Sequence, residues 1–317
     1  MKLFFYRGQQ PNFGDELNLY LMPKVFPEFF DDDESNLFLG IGSIQDNRHP
    51  TDCDKIVFGS GYGGYLPAPV LDAKWHVYCV RGPMTARTLG LSSDKVAADS
   101  AVLINRFRQR DVPTSTEKRV SFIPHFQSIP RGNWEKACAE AGIYFIDPRN
   151  PVETVMSEME ASSVVLAEAM HGAIVADALR VPWIPLQPIS AGHRAKWHDW
   201  ASALDMTLPI YNMLPSSLWE AAIALRQRTN FGNRGPGMFK SGGDPAAQTT
   251  KGPSAARNIV EMTRGLSDPL FIHLASQRLQ RLARKEPMLS SDAALDRALD
   301  KLESAATQIK KDYGHNR

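Results

Sequence analysis

The chain has 317 residues, with 36 Lys and Arg against 35 Asp and Glu, 43% apolar residues and 22% charged ones. This composition fits a soluble globular protein and excludes a fibrous or disordered one. The net charge of +1 leaves no strong electrostatic case for nucleic acid. Cys53, Cys79 and Cys138 include no close pair, so they form neither a disulfide framework nor a zinc motif. A reducing, cytosolic setting is expected. No uninterrupted apolar stretch approaches the ~20 residues that span a bilayer. The N-terminus turns polar too soon for a signal peptide.

In chain order, short apolar runs at 2–7, 37–42, 55–59, 76–80 and part of 96–104 are expected strands. Helical patterns at 16–25 and 83–89 alternate with them, the second carrying Pro83 early in the helix. Continuous apolar strands alternating with helices predict a parallel sheet covered on both faces. The polar stretch 106–119 breaks the pattern as a domain junction would. The pattern resumes with strands at 120–124, 144–146, 164–166 and 183–186 and helices at 133–141, 152–161, 171–179, 196–204 and 215–228. Residues 231–253, rich in Gly and Pro, read as a linker. Two helices are expected beyond it, over 268–285 and 292–311. In the second, Leu295, Leu299, Leu302, Ala306 and Ile309 form a stripe that must bury against the body or a partner. The expected organisation is therefore a first α/β domain over 1–112, a second over 113–230, the linker, and a helical tail over 254–317.

Charge is unevenly spread along this plan. Residues 226–317 hold 16 Lys and Arg against 9 Asp and Glu, so near-neutrality is the sum of an acidic body and a basic tail. The plain reading of the tail is a solvated helix face. The sharper one is peripheral contact with an anionic membrane or a phosphorylated lipid carrier.

Ligands of parallel sheets sit beyond the C-terminal ends of the strands. That rule selects the turns carrying Asn12, Gly14 and Asp15; Gly42 and Ser43; Gly59 and Gly61; Arg81 and Gly82; His125; and Glu168 with His171. None of the glycine turns is a P-loop or a dinucleotide fingerprint. Arg81 lies between a strand and a Pro-started helix; its planar fork suits a carboxylate or phosphate, and a salt bridge is the alternative. His171 opens a helix, where the dipole disfavours a cation unless an anion binds nearby; with one bound, it suits a proton donor. Lys196 and His193 sit in a cationic loop running into a helix, and Lys196 is a phosphate-neutralising candidate. Asp15 and Asp99 are either bases or loop-capping carboxylates.

The segments Asn12-Phe13-Gly14-Asp15-Glu16-Leu17-Asn18, Gly40-Ile41-Gly42-Ser43, Val57-Phe58-Gly59-Ser60-Gly61, Val80-Arg81-Gly82-Pro83, Ala98-Asp99-Ser100-Ala101 and Glu168-Ala169-Met170-His171-Gly172-Ala173 occur in the order seen in the polysaccharide pyruvyltransferase family, which residues 1–225 resemble. The resemblance points in particular to enzymes acting on succinoglycan-type exopolysaccharide repeat units. It implies transfer from phosphoenolpyruvate to a sugar as a cyclic pyruvate ketal, with phosphate released and without a metal or other cofactor. It also implies an α/β fold of two Rossmann-like domains facing across a cleft, similar to the GT-B glycosyltransferases. The expected partners are phosphoenolpyruvate and a saccharide acceptor, carried on a lipid at the cytoplasmic face of the membrane. Many members show Arg-Leu-His where this chain has Ala169-Met170-His171, so Arg81, Lys196 or Arg194 is expected to supply the missing cation. His171 is the expected acid toward the donor methylene, with Asp15 or His125 as base. Asn12, Gly42, Ser43, Gly61 and Glu168 complete the expected substrate contacts. A nucleotide-sugar glycosyltransferase and a non-catalytic carbohydrate-binding subunit are the alternatives.

Overall fold

The structure, a computed structural model, describes residues 1–108, 118–189, 194–209, 211–231 and 254–314. Most of the expected junction, nearly all of the expected linker, and His193 lie outside the described residues.

Two four-stranded parallel sheets organise the chain. The first contains β1 (Lys2–Phe4), β2 (Asn36–Leu39), β3 (Asp54–Phe58) and β4 (Trp75–Cys79), in the order β1-β2-β3-β4. The second contains β5 (Arg119–Ile123), β6 (Tyr144–Phe145), β7 (Ser162–Ala167) and β8 (Trp183–Pro185), in the order β6-β5-β7-β8. The central strands are apolar on both faces because both are covered: Phe38 and Leu39 of β2 and Ile56, Val57 and Phe58 of β3 are fully buried.

Helix α1 (Phe13–Val25) follows β1, with Asp15 and Glu16 in its first turn, where they complement the dipole. Its buried face carries Phe13, Leu17, Leu21 and Val25 at helical spacing. Asn18 on that face is fully satisfied: its amide donates to Ile41 O at 3.0 Å and accepts from Ile41 N at 2.9 Å, tying the turn after β2 to α1. α2 (Pro83–Thr88) and α3 (Ile104–Phe107) follow in the first unit. α4 (Trp134–Ala141), α5 (Val152–Glu160), α6 (Met170–Ala178), α7 (Ala195–Ala203) and α8 (Leu218–Phe231) follow.

One expected strand is absent. Only Val96 pairs, in an isolated bridge to Val80, while Ser100–Leu103 is a 3₁₀ turn running into α3. The cause is Asp99, whose Oδ1 accepts from Ala101 N at 3.1 Å and offers the backbone a capped turn in place of a ladder.

The principal core is continuous across both sheets. It joins Phe13, Leu17 and Leu21 of α1 and Val102 and Ile104 to Val155 and Met159 of α5 and Ile174 of α6. Phe13 N also donates to Pro148 O at 2.7 Å, so α1 begins against the loop after β6.

The tail packs on this body. α9 (Ser254–Leu282) starts earlier than expected and buries Ala275, Leu279 and Leu282 with Trp134 and Phe122, leaving Leu274 39% exposed. α10 (Asp292–Tyr313) buries the whole expected stripe, Leu295, Leu299, Leu302, Ala306 and Ile309, in the principal core. Buried Asp177 fixes its approach, accepting from Ser290 N at 2.8 Å and from Trp183 Nε1 at 3.0 Å. Among the described residues no helix is long and apolar enough to cross a membrane.

Candidate active site

Strand ends of both sheets deliver the site. From the first sheet, the turn after β1 contributes Asn12, Gly14 and Asp15. Asn12 Nδ2 donates to Asp15 Oδ2 at 2.7 Å, holding the carboxylate at the start of α1. From the second, β7 leads through Glu168 into α6, whose second residue is His171. The two helix starts meet so closely that a Cβ built on Gly14 would lie 2.1 Å from His171 Nδ1. Only glycine allows the imidazole to rest there. Gly14→Ala is therefore expected to displace His171 and lower kcat by about 10²-fold, the scale of a misplacement of ~1 Å. Helix content should be unchanged, alanine being the better helix former; steady-state kinetics with circular dichroism checks both.

The other edge of the His171 ring faces Asp99. Nε2 and Asp99 Oδ2 are 3.6 Å apart, with the histidine side chain 13% exposed and the aspartate fully buried. Neither atom has a hydrogen-bond partner, and the hydroxyl of the adjacent Ser100 is also buried without one. Of its two sequence alternatives the structure shows the loop-capping carboxylate: one oxygen caps the 3₁₀ turn, while the other faces an imidazole.

His125 follows β5. Its backbone N donates to Glu168 Oε2 at 2.8 Å, and its Nδ1 accepts from Gln127 N at 3.3 Å, which puts the ring proton on Nε2. Burial pushes this imidazole well below its ordinary pKa, and the charges of Lys196, Arg131 and His171 push the same way. His125 is therefore neutral near pH 7. Burial raises the Asp15 carboxyl, offset in part by the Asn12 hydrogen bond and by the charges of His171 and Lys196. These mutual influences place Asp15, His125, His171, Lys196 and Arg131 in one neighbourhood. Lys196 comes from α7, its Nζ 5.9 Å from the centre of the Tyr65 ring.

Other expected site residues are turned elsewhere. Glu168 spends its carboxylate on its own chain, accepting from His125 N, Ser128 Oγ at 2.9 Å and Ile189 N at 3.4 Å. It anchors the His125 loop, with both oxygens engaged by the protein itself. Arg81 is fully buried: Nε donates to Asp199 Oδ2 at 3.0 Å, Nη1 to Ser43 Oγ at 2.7 Å and Nη2 to Tyr62 O at 2.7 Å. The expectation that Arg81 holds the donor gives way to its structural alternative, a buried ion pair, and Ser43 is drawn into the same network. Gly42 O accepts from Gly61 N at 2.9 Å, so these two residues hold the turns after β2 and β3 together. Arg194 Nε donates to Pro188 O at 3.3 Å, beside a small pocket lined by Gln187, Trp197 and His198.

Two residues escaped the sequence reading. Arg131 lies beyond the strand end that the loop rule inspects, in the turn after a 3₁₀ segment. It is half-buried, and Glu168 and Glu220 pull its pKa up while burial pushes it down further. Asp199 sits inside a helix, and nothing local in the sequence marks its partner. Among the described residues no cluster of three or more His, Cys, Asp or Glu side chains is placed to hold a metal ion.

The chain that builds this arrangement belongs by its sequence to a known class of transferase. Residues 12–188 match the Polysaccharide pyruvyl transferase family, and the chain is a member of it. It is 31% identical over 322 residues to the Succinoglycan biosynthesis protein ExoV of Rhizobium meliloti (strain 1021), covering 99% of this chain and 100% of that protein. No solved structure matches the chain.

Proposed function

We propose that this pyruvyl transferase moves the pyruvate moiety of phosphoenolpyruvate onto two hydroxyls of a sugar in an exopolysaccharide repeat unit, forming a cyclic ketal and releasing phosphate. The observation that carries this reading is the convergence of His171, backed by Asp99, with Asp15, His125, Lys196 and Arg131 at the strand ends of both sheets. The donor is a compact anion that needs cations and hydrogen-bond donors around its phosphate and carboxylate. Lys196 and Arg131 meet that need where residue 169 is Ala, and neutral His125 adds a donor at Nε2.

In the proposed mechanism His171 passes a proton to the methylene carbon from Nδ1, the ring nitrogen beside Gly14, while the Asp99 carboxylate faces Nε2 and favours the charged ring. C2 becomes electrophilic and a sugar hydroxyl adds to it. The bond from C2 to the phosphate oxygen breaks, and a second hydroxyl closes the ring. Of the two hydroxyl protons released, one restores His171 and the other leaves with phosphate. Asp15 is the base of choice, since burial raises its carboxyl toward a useful basicity. His125 is too weakly basic for that role. Fixed charges against the departing phosphate are the largest expected contribution.

Asp15→Asn is expected to lower kcat by about 10²–10⁴-fold. In the wild type, activity should fall as pH drops through a midpoint above that of an ordinary aspartate, and this limb should be missing from the residual activity of Asp15→Asn. A retained acid limb would move the base elsewhere.

Two coarser features extend the reading. The twin sheets, both feeding the site from their strand ends, and α10 returning from β8 to the first unit support a GT-B-like arrangement of two Rossmann-like domains. We place the enzyme in the cytoplasm, acting on a lipid-linked acceptor at the inner face of the membrane. With the apolar stripe of α10 buried, membrane contact rests on the basic residues of the tail, and liposome association should disappear in high salt.

A further inference from the structure

The Arg81-Gly82-Pro83 turn is occupied by the protein itself. Asp199 of α7, which follows the second sheet in sequence, inserts into this turn of the first. Its Oδ1 accepts from Met84 N at 2.8 Å and Thr85 N at 3.0 Å. Its Oδ2 accepts from Thr85 Oγ1 at 2.6 Å and Arg81 Nε at 3.0 Å. The carboxylate thus takes up the open N–H groups that begin α2 and pairs a guanidinium, with both side chains fully buried. A Cβ on Gly82 would lie 2.1 Å from Asp199 O, so the turn is shaped to the backbone of α7 as well as to its carboxylate.

Lys196 lies three residues before Asp199 on α7, one turn away on the same face. Fixing Asp199 therefore fixes the turn that presents Lys196 to Asp15 and His125. Arg81 extends the constraint through Ser43 and Tyr62 to the turns after β2 and β3.

We propose that Asp199 is a positioning residue of the donor site: locked by Arg81, Thr85 and the Gly82 turn, it sets where Lys196 meets the donor anion. This rests on the reading of Lys196 as a ligand of phosphoenolpyruvate. Arg81 then acts on the donor only through α7.

The test is a double-mutant cycle on the full-length protein, with donor KM and kcat read by phosphate release in the presence of acceptor. Lys196→Ala is expected to raise donor KM by about 10- to 100-fold, the loss of a charge-assisted contact. Asp199→Asn, which keeps an amide oxygen for capping and removes the charge, is expected to raise donor KM about tenfold. The double variant should be no worse than Lys196→Ala alone, because the two residues act as one unit. Should Asp199→Asn fail to fold, Thr85→Val keeps the carboxylate and the Arg81 pair, removes the hydroxyl that donates to Asp199 and accepts from Tyr62 N, and should give a smaller effect in the same direction, again absent in the Lys196→Ala background. Additive effects, or an Asp199→Asn enzyme with unchanged donor KM beside an impaired Lys196→Ala, overturn the positioning role and leave Lys196 in place. An unchanged donor KM in Lys196→Ala overturns the reading of Lys196 and the proposal with it.

Discussion

His171→Ala is expected to lower turnover by about 10²–10⁴-fold, the usual contribution of a positioned acid, with little change in stability. The reason lies in how the ring is held. His171 Nε2 has no hydrogen-bond partner and faces Asp99 Oδ2 at 3.6 Å. Nδ1 rests over Gly14. The ring is kept in place by shape and by one facing carboxylate, so its removal breaks no intramolecular hydrogen bond. A stability measurement beside the kinetics separates this outcome from unfolding. Near-wild-type turnover in purified, folded His171→Ala would remove it as the acid.

Arg81→Ala should behave in the opposite way. It leaves the Asp199 carboxylate buried without its cation, and breaking such a pair from one side costs about 3–5 kcal/mol. For a chain of this size that is a fall in Tm on the order of 10 °C. The effect should be read first as stability, by thermal unfolding, and only second as weaker donor binding transmitted through α7. A variant with wild-type Tm and a selective loss of donor affinity would return Arg81 to the donor site.

Arg81 also shows where sequence reading stops. The strand-end rule placed it at the mouth of a cleft, and it does follow β4. What the rule lacks is the partner, Asp199, 118 positions further on and in the middle of a helix. An arginine fork suits a substrate phosphate and a buried carboxylate equally, and only the fold decides between them. Arg131 lies beyond the reach of the same rule, because it sits in the turn after Phe126–Ser128 and not at the strand end itself.

The elements themselves were legible wherever apolar runs were long and continuous. Strands at 37–42 and 55–59 and the stripe of α10 were found because burial on both faces, or on one helix face, imposes a pattern on the residues. The run 96–104 is also mostly apolar, yet beyond the single bridge of Val96 it forms no strand. One side chain, Asp99, redirects it by capping a turn, and the same side chain then faces His171. Of the proposed site, His171, Asp15, His125 and Lys196 are each visible in the sequence as residues at or beside turns. Their meeting is not, because it depends on Gly14 admitting a ring from another helix and on α7 being docked across the two units.

The proposed reaction is ketal formation from phosphoenolpyruvate at this site. Its most direct test is mass spectrometry of an unpyruvylated exopolysaccharide oligosaccharide incubated with phosphoenolpyruvate and purified enzyme. The expected product gains one pyruvate less one water per acceptor, with one phosphate released for each. An acceptor unchanged in mass under these conditions, or one that instead gains a sugar from a nucleotide sugar, would contradict it.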